Sequence, residues 1–212
     1  MADPRKDAFA TTSKTIIKNL ERAGMEGYFC ETSADARELV KSLVPEGSSI
    51  AWGGTETFKE TGVKEMLEAG AYTMLDRAKA TTPEEQRAVY LQHFDSDFFF
   101  MSANALTLKG ELVNIDGNGN RVAAIVYGPE SVIVIAGMNK VMDSLDAAVE
   151  RARTVAEPQN KQRFDYKTPC EVTGACADCK SDGCICNQIL ITRNCNPPGR
   201  IKFILVGEEL GL

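Results

Sequence analysis

SSIAWGGTETFKETGVKEMLE, residues 48–68, is the stretch of sequence that decides the fold. It opens with a short apolar strand pattern, Ser48–Trp52, and Gly53-Gly54 then breaks that pattern. The segment Lys59–Glu68 follows with the spacing of a helix or a helix pair. A strand that turns through glycine into a helix is the repeating unit of an α/β sheet, so this stretch predicts one such unit.

The same alternation of strand and helix patterns continues in both directions along the chain. Strands that are separated by helices need crossover connections, and these place the strands parallel to one another. We therefore predict an α/β fold with a mostly parallel open sheet and helices on both faces. The other predicted helices are Asp3–Ala23, Ser33–Leu43, Pro83–His93 and Asp143–Ala156, and the other predicted strands are Gly27–Cys30, Ala71–Leu75, Phe98–Ser102, Leu112–Ile115, Val122–Val126, Val132–Ala136, Gln188–Thr192 and Ile201–Val206.

The composition changes after Pro158, where the chain becomes polar, irregular and rich in cysteine. This change predicts an α/β domain over residues 1–160. Residues 161–212 are then a Cys-rich metal-binding segment with closing strands that pack on the same domain.

The chain has 212 residues, of which 43% are hydrophobic and 25% are charged, as in ordinary globular proteins. Its net charge of −6 argues against nucleic-acid binding, because such surfaces are basic. No apolar run approaches the roughly 18–20 residues of a membrane helix, and the first residues lack the apolar region of a signal peptide. We therefore expect a cytoplasmic protein with no nucleic-acid partner and no membrane insertion.

Six of the seven cysteines lie in the last fifth of the chain. In a reducing compartment, clustered thiols hold metal more often than they form disulfides, and four thiolates satisfy either Zn²⁺ or an iron–sulfur cluster. Three ligands are expected to be Cys170, Cys176 and Cys179, and the spacing does not decide between Cys184 and Cys186 as the fourth. The alternatives are a zinc knuckle that only holds the closing strands in place, and a set of free thiols or disulfides.

The Gly53-Gly54 turn is a candidate anion site. A turn from a strand into a helix presents backbone N–H groups to an anion, and neighbouring threonines add hydroxyl donors. The alternative is a tight turn in which Thr55 serves only as the helix N-cap. The predicted ligand-binding residues of this turn are Gly53, Gly54, Thr55 and Thr57.

A second candidate ligand site is Ser102–Arg121. It follows an apolar strand, so its polar groups should emerge at the carboxyl end, where open α/β sheets bind ligands. Its Asn and Asp residues alternate as in a calcium loop, but Arg121 stands at the glycine position and no Glu closes the loop; a polar hairpin turn is the alternative. The predicted catalytic residues are Glu111 and Asp116, and the predicted ligand-binding residues are Asn104, Lys109, Asn114, Asn118 and Asn120.

Three further residues have ordinary interpretations. His93, the single histidine, lies on a predicted helix and is interpreted as a helix residue rather than a catalytic base. Cys30 lies on an apolar strand and is interpreted as core packing. Cys195 is an outer metal ligand or a spectator. Gly53-Gly54 lacks the three-glycine spacing of a dinucleotide fingerprint.

Several motifs together resemble the lactate-utilisation, or LUD-domain, proteins. The resemblance covers nearly the whole chain and is most specific between Asn104 and Ala124. The motifs are Gly53-Gly54-Thr55-x-Thr57-x-Lys59-Glu60-x-Gly62, Gly110-Glu111-Leu112-Val113-Asn114-Ile115-Asp116-Gly117-x-Gly119-Asn120-Arg121, Gly137-x-Asn139-Lys140, Lys167-Thr168-Pro169-Cys170, Ile185-Cys186-Asn187 and Gly199-Arg200-Ile201.

The resemblance implies a fold like that of ribose-5-phosphate isomerases and CoA transferases (NagB/RpiA/CoA-transferase-like). In that superfamily, a strand–glycine loop binds sugar phosphates or CoA, and Gly53, Gly54, Thr55 and Thr57 match this loop. Related isomerases usually carry an aspartate where this sequence has Asn104. An amide cannot act as their acid or base, so isomerase chemistry does not follow from the resemblance.

The resemblance also implies a function and a ligand set. It favours Cys186 over Cys184, so the implied metal ligands are Cys170, Cys176, Cys179 and Cys186. It links the chain to the oxidation of lactate to pyruvate beside iron–sulfur partner subunits, with an iron–sulfur cluster or Zn²⁺ as the cofactor. The alternative is a protein or enzyme that binds a phosphorylated metabolite or CoA ester, an anionic small molecule, and holds a structural zinc.

Overall fold

The computed structural model describes residues 3–165 and 167–212. Short 3₁₀ turns cover Arg77–Lys79 and Met138–Lys140, and a π-helical turn covers Ala152–Ala156. The helices are α1 (Pro4–Arg22), α2 (Ser33–Leu43), α3 (Glu56–Glu60), α4 (Val63–Glu68), α5 (Pro83–Phe94), α6 (Asn120–Val126), α7 (Leu145–Arg151), α8 (Glu157–Lys161) and α9 (Pro169–Thr173), and the strands are β1 (Glu26–Cys30), β2 (Ser49–Trp52), β3 (Thr73–Met74), β4 (Phe98–Met101), β5 (Ala105–Thr107), β6 (Leu112–Asp116), β7 (Ser131–Gly137), β8 (Val141–Met142), β9 (Gln188–Thr192) and β10 (Ile201–Val206).

The larger sheet has six strands in the order β1-β10-β7-β4-β2-β3. Every neighbouring pair in it is parallel, so the predicted α/β fold with a mostly parallel sheet is confirmed. The predicted helix pair is α3 and α4, although α3 begins earlier, at Glu56. Thr32 rather than Ser33 is the N-cap of α2, where it forms a capping box with Asp35.

Alternating residues of the central strand β7 build the two halves of the core. Val132 and Val134 point into a cluster with α1 and α6, whereas Ile133 and Ile135 point into a cluster with α2, α3 and α4. Successive side chains of a strand face opposite sides of a sheet, and both sides are covered by helices. This explains why buried parallel strands read as continuous apolar runs.

A second sheet, in the order β8-β5-β6-β9, lies outside the sequence prediction. Its β5–β6 and β6–β9 pairs are antiparallel and its β5–β8 pair is parallel. β9 brings the cysteine-rich part of the chain onto this sheet, whereas β10 enters the larger sheet between β1 and β7. The two closing strands are therefore integral to sheets whose other strands precede residue 160.

The prediction of a strand at Val122–Val126 is wrong, because these residues form most of α6. The Asp116 carboxylate accepts hydrogen bonds from the backbone amides of Arg121 and Val122, which satisfies donors at the start of the helix. Gly119 precedes the helix with a left-handed backbone, φ +82°. This local capping outweighs the strand preference of the β-branched residues.

The predicted helix Asp143–Ala156 continues farther than expected, as α7, a π-helical turn and α8. Pro158 lies in the first turn of α8, directly after the π-helical turn. A π-helical turn bonds i to i+5, and proline is tolerated in a first helical turn, where an N–H has no intrahelical partner. The helix therefore passes Pro158, and Glu157 is buried there at 2% exposure.

None of the helices in the described ranges is both long enough and apolar enough to cross a membrane.

Candidate functional site

The carboxyl ends of β2, β4 and β7 lead into one cavity of about 350 Å³, here called the strand-end cavity. This edge is where open parallel sheets bind ligands, and the volume is at the lower end of the range for small-molecule sites. Cations outnumber carboxylates in the lining, which favours an anion. The cations are Arg77, Arg121, Lys140 and Arg163, the carboxylates are Glu56 and Asp116, and the hydroxyls are Thr55, Thr57 and Ser102.

Lys140 is a deeply buried cation of this cavity, with 3% exposure. Its Nζ donates to Ser102 Oγ at 3.1 Å and to Thr57 Oγ1 at 3.4 Å, and it forms no ion pair with a carboxylate in the described parts of the chain. Burial, helped by the nearby guanidinium groups of Arg151 and Arg121, lowers the pKa of Lys140 to about 7. A buried ammonium that is surrounded by hydroxyls and guanidiniums would gain from an anion.

Thr55 presents a buried hydroxyl to the same cavity. It is the N-cap residue of α3 by position, but its side chain makes no capping hydrogen bond. Thr55 is 9% exposed, and its Oγ1 has no hydrogen-bond partner among residues 3–165 and 167–212. Buried hydroxyls nearly always have a partner, so this atom marks a position where a ligand oxygen would complete the bonding.

Two arginine side chains limit the space beside the two glycines that follow β2. A Cβ atom on Gly53 would lie 2.9 Å from Arg121 Cδ, and a Cβ atom on Gly54 would lie 3.3 Å from Arg77 Nη2. Neither glycine has a positive φ. Close packing against Arg121, rather than backbone conformation, therefore favours glycine at position 53, and the contact at position 54 is looser.

Arg121 forms part of the wall of the cavity and is held on several sides. Its Nη1 donates to Ser102 O at 2.9 Å and to Asn114 Oδ1 at 2.8 Å. Its Nη2 donates to Asn104 Oδ1 at 3.0 Å and to Ile115 O at 2.5 Å. These acceptors occupy the guanidinium, so Arg121 fixes the shape of the site and leaves little of its bonding capacity for a ligand.

Asp116, predicted as catalytic, lines the cavity but is engaged by the backbone. Its Oδ1 accepts from the amides of Asn118 and Gly119, and its Oδ2 accepts from the amides of Arg121 and Val122. In this arrangement Asp116 caps α6, and the geometry gives it no free position for proton transfer.

Glu111 and Lys109, also predicted as site residues, lie in the turn between β5 and β6. That turn is at the opposite end of the hairpin from Asn104 and Asp116, and neither residue lines the strand-end cavity. Glu111 Oε2 instead accepts a hydrogen bond from Thr107 Oγ1 at 3.2 Å. The sequence spacing could not show this, because both ends of a hairpin carry polar residues.

The other predicted ligand-binding residues divide into two groups. Gly53 packs against Arg121, and Asn114 accepts a hydrogen bond from it, but neither residue lines the cavity. Asn114 Nδ2 is buried and has no hydrogen-bond partner among the described residues. The members that line the cavity are Gly54, Thr55, Thr57, Asn104, Asn118 and Asn120.

Three residues of the site were not among the individual ligand-binding residues predicted from the sequence, although Ser102 begins the predicted loop and Lys140 belongs to a family motif. Ser102 and Lys140 follow the apolar strands β4 and β7 directly or within a turn, so the rule that polar residues at strand ends bind ligands could have found them. Arg77 reaches the cavity from the 3₁₀ turn after β3. No local pattern marks it, because its position depends on how the short edge strand packs.

A second cavity, here called the cysteine cavity, has a volume of about 220 Å³. No three His, Cys, Asp or Glu side chains in the described parts of the chain already meet as a metal site. The donor set nevertheless fits one: five thiols line one cavity together with the carboxylates of Glu157 and Asp178, and the Cys186 backbone amide contacts Cys184 Sγ at 3.4 Å. All-thiolate sites suit Zn²⁺ and iron–sulfur clusters. The cysteines that line the cavity are Cys170, Cys176, Cys179, Cys184 and Cys186.

The two cavities are separated by a thin wall. Ile115 and Ile185 line both of them. Asn104, which lines the strand-end cavity, donates through Nδ2 to Glu157 Oε1 at 2.9 Å, and Glu157 lines the cysteine cavity. The backbone N–H of Asn187, one residue beyond Cys186, donates to Asp116 O at 3.0 Å.

Burial sets the protonation of the groups at this wall. It raises the pKa of Glu157 to about 7. Burial, with Glu157 and Cys184 nearby, also raises the pKa of the Cys186 thiol, whereas hydrogen bonds from Ser181 lower the pKa of Cys179. Because a metal binds thiolate, a metal that uses Cys186 must displace its proton.

The remaining singled-out residues lie apart from both cavities. Cys30 and Cys195 are buried in the two halves of the core, as interpreted for Cys30. His93 Nε2 contacts Leu75 O at 2.9 Å, and burial lowers the pKa of its ring. His93 is therefore a buried helix residue outside both cavities.

The sequence matches the LUD domain family over residues 13–206. Comparison with curated proteins gives no match. Among solved structures, the chain is similar to a DUF162 family protein from Deinococcus radiodurans at 11% identity, with a TM-score of 0.54 over 94% of this chain and 98% of that chain. At this identity the likeness shows the fold alone.

Two further solved structures are similar over part of the chain. These are eIF2B delta and eIF2B beta from Chaetomium thermophilum, at 14% and 15% identity, with TM-scores of 0.37 and 0.36. Each covers 57% of this chain, and the chain covers 54% and 42% of theirs. Scores this low support no argument about the site.

Proposed function

This chain belongs to the LUD domain family, and from that premise we propose that it is an accessory subunit of lactate oxidation that binds an anionic metabolite in the strand-end cavity. The observation that carries the proposal is Lys140, a buried ammonium whose Nζ contacts the hydroxyls of Ser102 and Thr57 and no carboxylate in the described chain. An anion beside it would supply the missing counter-charge. The unpartnered hydroxyl of Thr55 in the same cavity supports this.

A thermal-shift screen tests the binding. Inorganic phosphate, sulfate, sugar phosphates, nucleotides, CoA and small carboxylates are each added in excess, because a ligand that binds only the folded protein raises its melting temperature. We expect at least one anion to stabilise the chain. Thr55→Val should weaken this effect, whereas Thr11→Val, on the exposed surface of α1, should leave it unchanged. No stabilisation by any anion would contradict the proposal.

We further propose that the cysteine cavity holds the redox centre of this subunit. The observation behind it is that five thiols line one cavity. Cys170, Cys176, Cys179 and Cys186 would hold an iron–sulfur cluster, which supplies one-electron transfer when bound. Iron–sulfur partner subunits would exchange electrons with it.

Metal analysis under anaerobic handling tests this second part. Brown protein with visible charge-transfer absorption and iron is the expected result. Colourless protein with one zinc per chain would instead favour the alternative, a binding protein or enzyme for a phosphorylated metabolite or CoA ester with a structural zinc. The thermal-shift result is independent of this outcome.

A further inference from the structure

We propose that the ligand of the strand-end cavity carries two anionic groups, a phosphate that binds at Lys140 and a carboxylate that binds at Arg77. This inference rests on the proposed anion-binding function, because it names the ligand class of the same cavity. It follows from which of the four cations in the lining already bind oxygen atoms of the protein and which do not.

Two of the four cations have partners that occupy them. Arg163 forms an ion pair with Glu56 at 2.7 Å, and Arg121 donates to four oxygen atoms of the protein. Lys140 and Arg77 differ, since neither forms an ion pair with a carboxylate in the parts of the chain that the structure describes. Two cations in one cavity therefore lack a direct ion pair among the described residues, and the carboxylate that acts on Lys140 from nearby, Glu60, does not contact its ammonium group.

The surroundings of Lys140 suit a phosphate group. Its Nζ lies beside the hydroxyls of Ser102 and Thr57, and the unpartnered hydroxyl of Thr55 lines the same cavity. The ammonium and the Thr55 hydroxyl offer donors for the several oxygens of a phosphate, and the hydroxyls of Thr57 and Ser102 can turn to it because their own donor contacts are long, 3.4 Å each. A carboxylate with two oxygens could not use all of these donors.

The surroundings of Arg77 suit a carboxylate. Its Nη1 donates to the hydroxyl oxygen of Tyr90 at 3.3 Å, and its guanidinium lies 5.9 Å from the centre of the Tyr90 ring. Tyr90 holds the planar group in place but leaves most of its N–H donors unused. A held guanidinium binds a carboxylate through two parallel hydrogen bonds.

One small molecule can reach both groups. Arg77 Nη2 lies against Gly54, and Lys140 Nζ lies against Thr57. Gly54 and Thr57 are three residues apart, a span of at most about 11 Å even for an extended chain. A phosphorylated small carboxylic acid is therefore the chemical class that matches the cavity.

The test compares three probes by isothermal titration calorimetry at pH 7. The probe 3-phosphoglycerate carries both groups, glycerol 3-phosphate lacks the carboxylate, and glycerate lacks the phosphate. We expect each single-anion probe to bind about 10- to 100-fold more weakly than 3-phosphoglycerate, the usual effect of losing a charged hydrogen-bonded contact.

Two variants assign the groups to their positions. Arg77→Met should weaken the binding of 3-phosphoglycerate about 10- to 100-fold but leave the affinity for glycerol 3-phosphate unchanged. Lys140→Met should weaken the binding of both probes. Arg87→Met, an exposed arginine on α5 that does not line the cavity, is the matched control and should change neither. Melting temperatures of all variants establish that they are folded.

The outcomes separate this inference from the proposed function. Equal affinity for 3-phosphoglycerate and glycerol 3-phosphate would overturn the two-group ligand while leaving anion binding intact. An Arg77→Met variant that weakens both phosphate probes equally would overturn the assignment of the carboxylate. Absence of binding by these three probes, with other anions still stabilising the chain, would overturn the ligand class alone.

Discussion

The ammonium group of Lys140 lies in the interior beside two hydroxyls, and its pKa falls from an ordinary 10.5 to about 7 because burial penalises the charge. Below pH 7 the group is protonated in both the folded and the unfolded chain, and its full destabilising effect is present. Between pH 7 and 10.5 the unfolded chain binds more protons, so the stability contributed by this group rises with pH. A shift of this size corresponds to roughly 3–5 kcal/mol.

Lys140→Met is therefore expected to raise the free energy of unfolding of the ligand-free protein at pH 7, by about 1–4 kcal/mol, and to abolish the phosphate-probe binding. The gain should shrink as the pH approaches 10, because the lysine is then neutral in the folded chain. Chemical denaturation at pH 7 and 10 measures this, with the exposed Lys41→Met as control. If the free energy of unfolding increased equally at both pH values, the increase would come from packing rather than from the lysine charge.

Gly53 and Gly54 are adjacent, yet alanine should affect them differently. A Cβ atom on Gly53 would lie 2.9 Å from Arg121 Cδ, and Arg121 cannot move aside because its guanidinium is held by four hydrogen bonds. Gly53→Ala should therefore destabilise the protein by about 1–3 kcal/mol. A Cβ atom on Gly54 would lie farther from its neighbour, 3.3 Å from Arg77 Nη2, so a shift of a few tenths of an ångström relieves the contact and Gly54→Ala should cost less. Equal losses in denaturation experiments would refute this explanation.

At the scale of elements, the strands of the larger sheet were predictable because buried strands have apolar residues that are consecutive in the sequence. β7 from Val132 to Ala136 and β10 from Phe203 to Val206 are continuous apolar runs, as is typical of strands covered on both faces. The second sheet was not predictable, because the β6–β9 pair joins Leu112–Asp116 to Gln188–Thr192, and no local pattern records so distant a pairing. Val122–Val126 was mistaken for a strand because its helix depends on the cap that Asp116 provides.

The candidate site was likewise predictable where its residues depend on local sequence, and not where they depend on distant packing. The glycine turn after β2 gave Gly54, Thr55 and Thr57, because the turn chemistry is local. Lys140 was missed even though it follows a buried strand, and Arg77 carries no local signal at all. The four cysteines implied by family resemblance line one cavity, but so does Cys184.

Of the residues that the structure describes between α8 and β9, those outside the short helix α9 form neither helix nor strand. Bound metal should therefore contribute much of the folding free energy of this cysteine-rich segment. Cys179→Ser should release the metal and lower the melting temperature, whereas Cys184→Ser, in the same cavity, should retain it. Elemental analysis and thermal unfolding of the two variants check this. Metal loss in Cys184→Ser with retention in Cys186→Ser would contradict the assigned ligand set.

At the scale of the whole molecule, the chain places two sites back to back. The strand-end cavity lies where three parallel strands end, and the cysteine cavity lies against the second sheet, with Ile115 and Ile185 shared between them. The C-terminal strands serve both sheets, since β9 pairs with β6 and β10 with β7 and β1. The segment that would hold a metal is thereby part of the wall that would hold an anion.

The central claim is that an anion binds beside Lys140. The most direct measurement is calorimetric titration of glycerol 3-phosphate at pH 8 in two buffers that differ in ionisation enthalpy. At this pH Lys140 is mostly neutral in the free protein, because its pKa is about 7, and the phosphate is already a dianion. Binding should raise the pKa of Lys140 and take up most of one proton, so the measured heat should depend on the buffer. Binding with the same heat in both buffers would contradict the claim, as would the absence of binding when no other anion stabilises the chain.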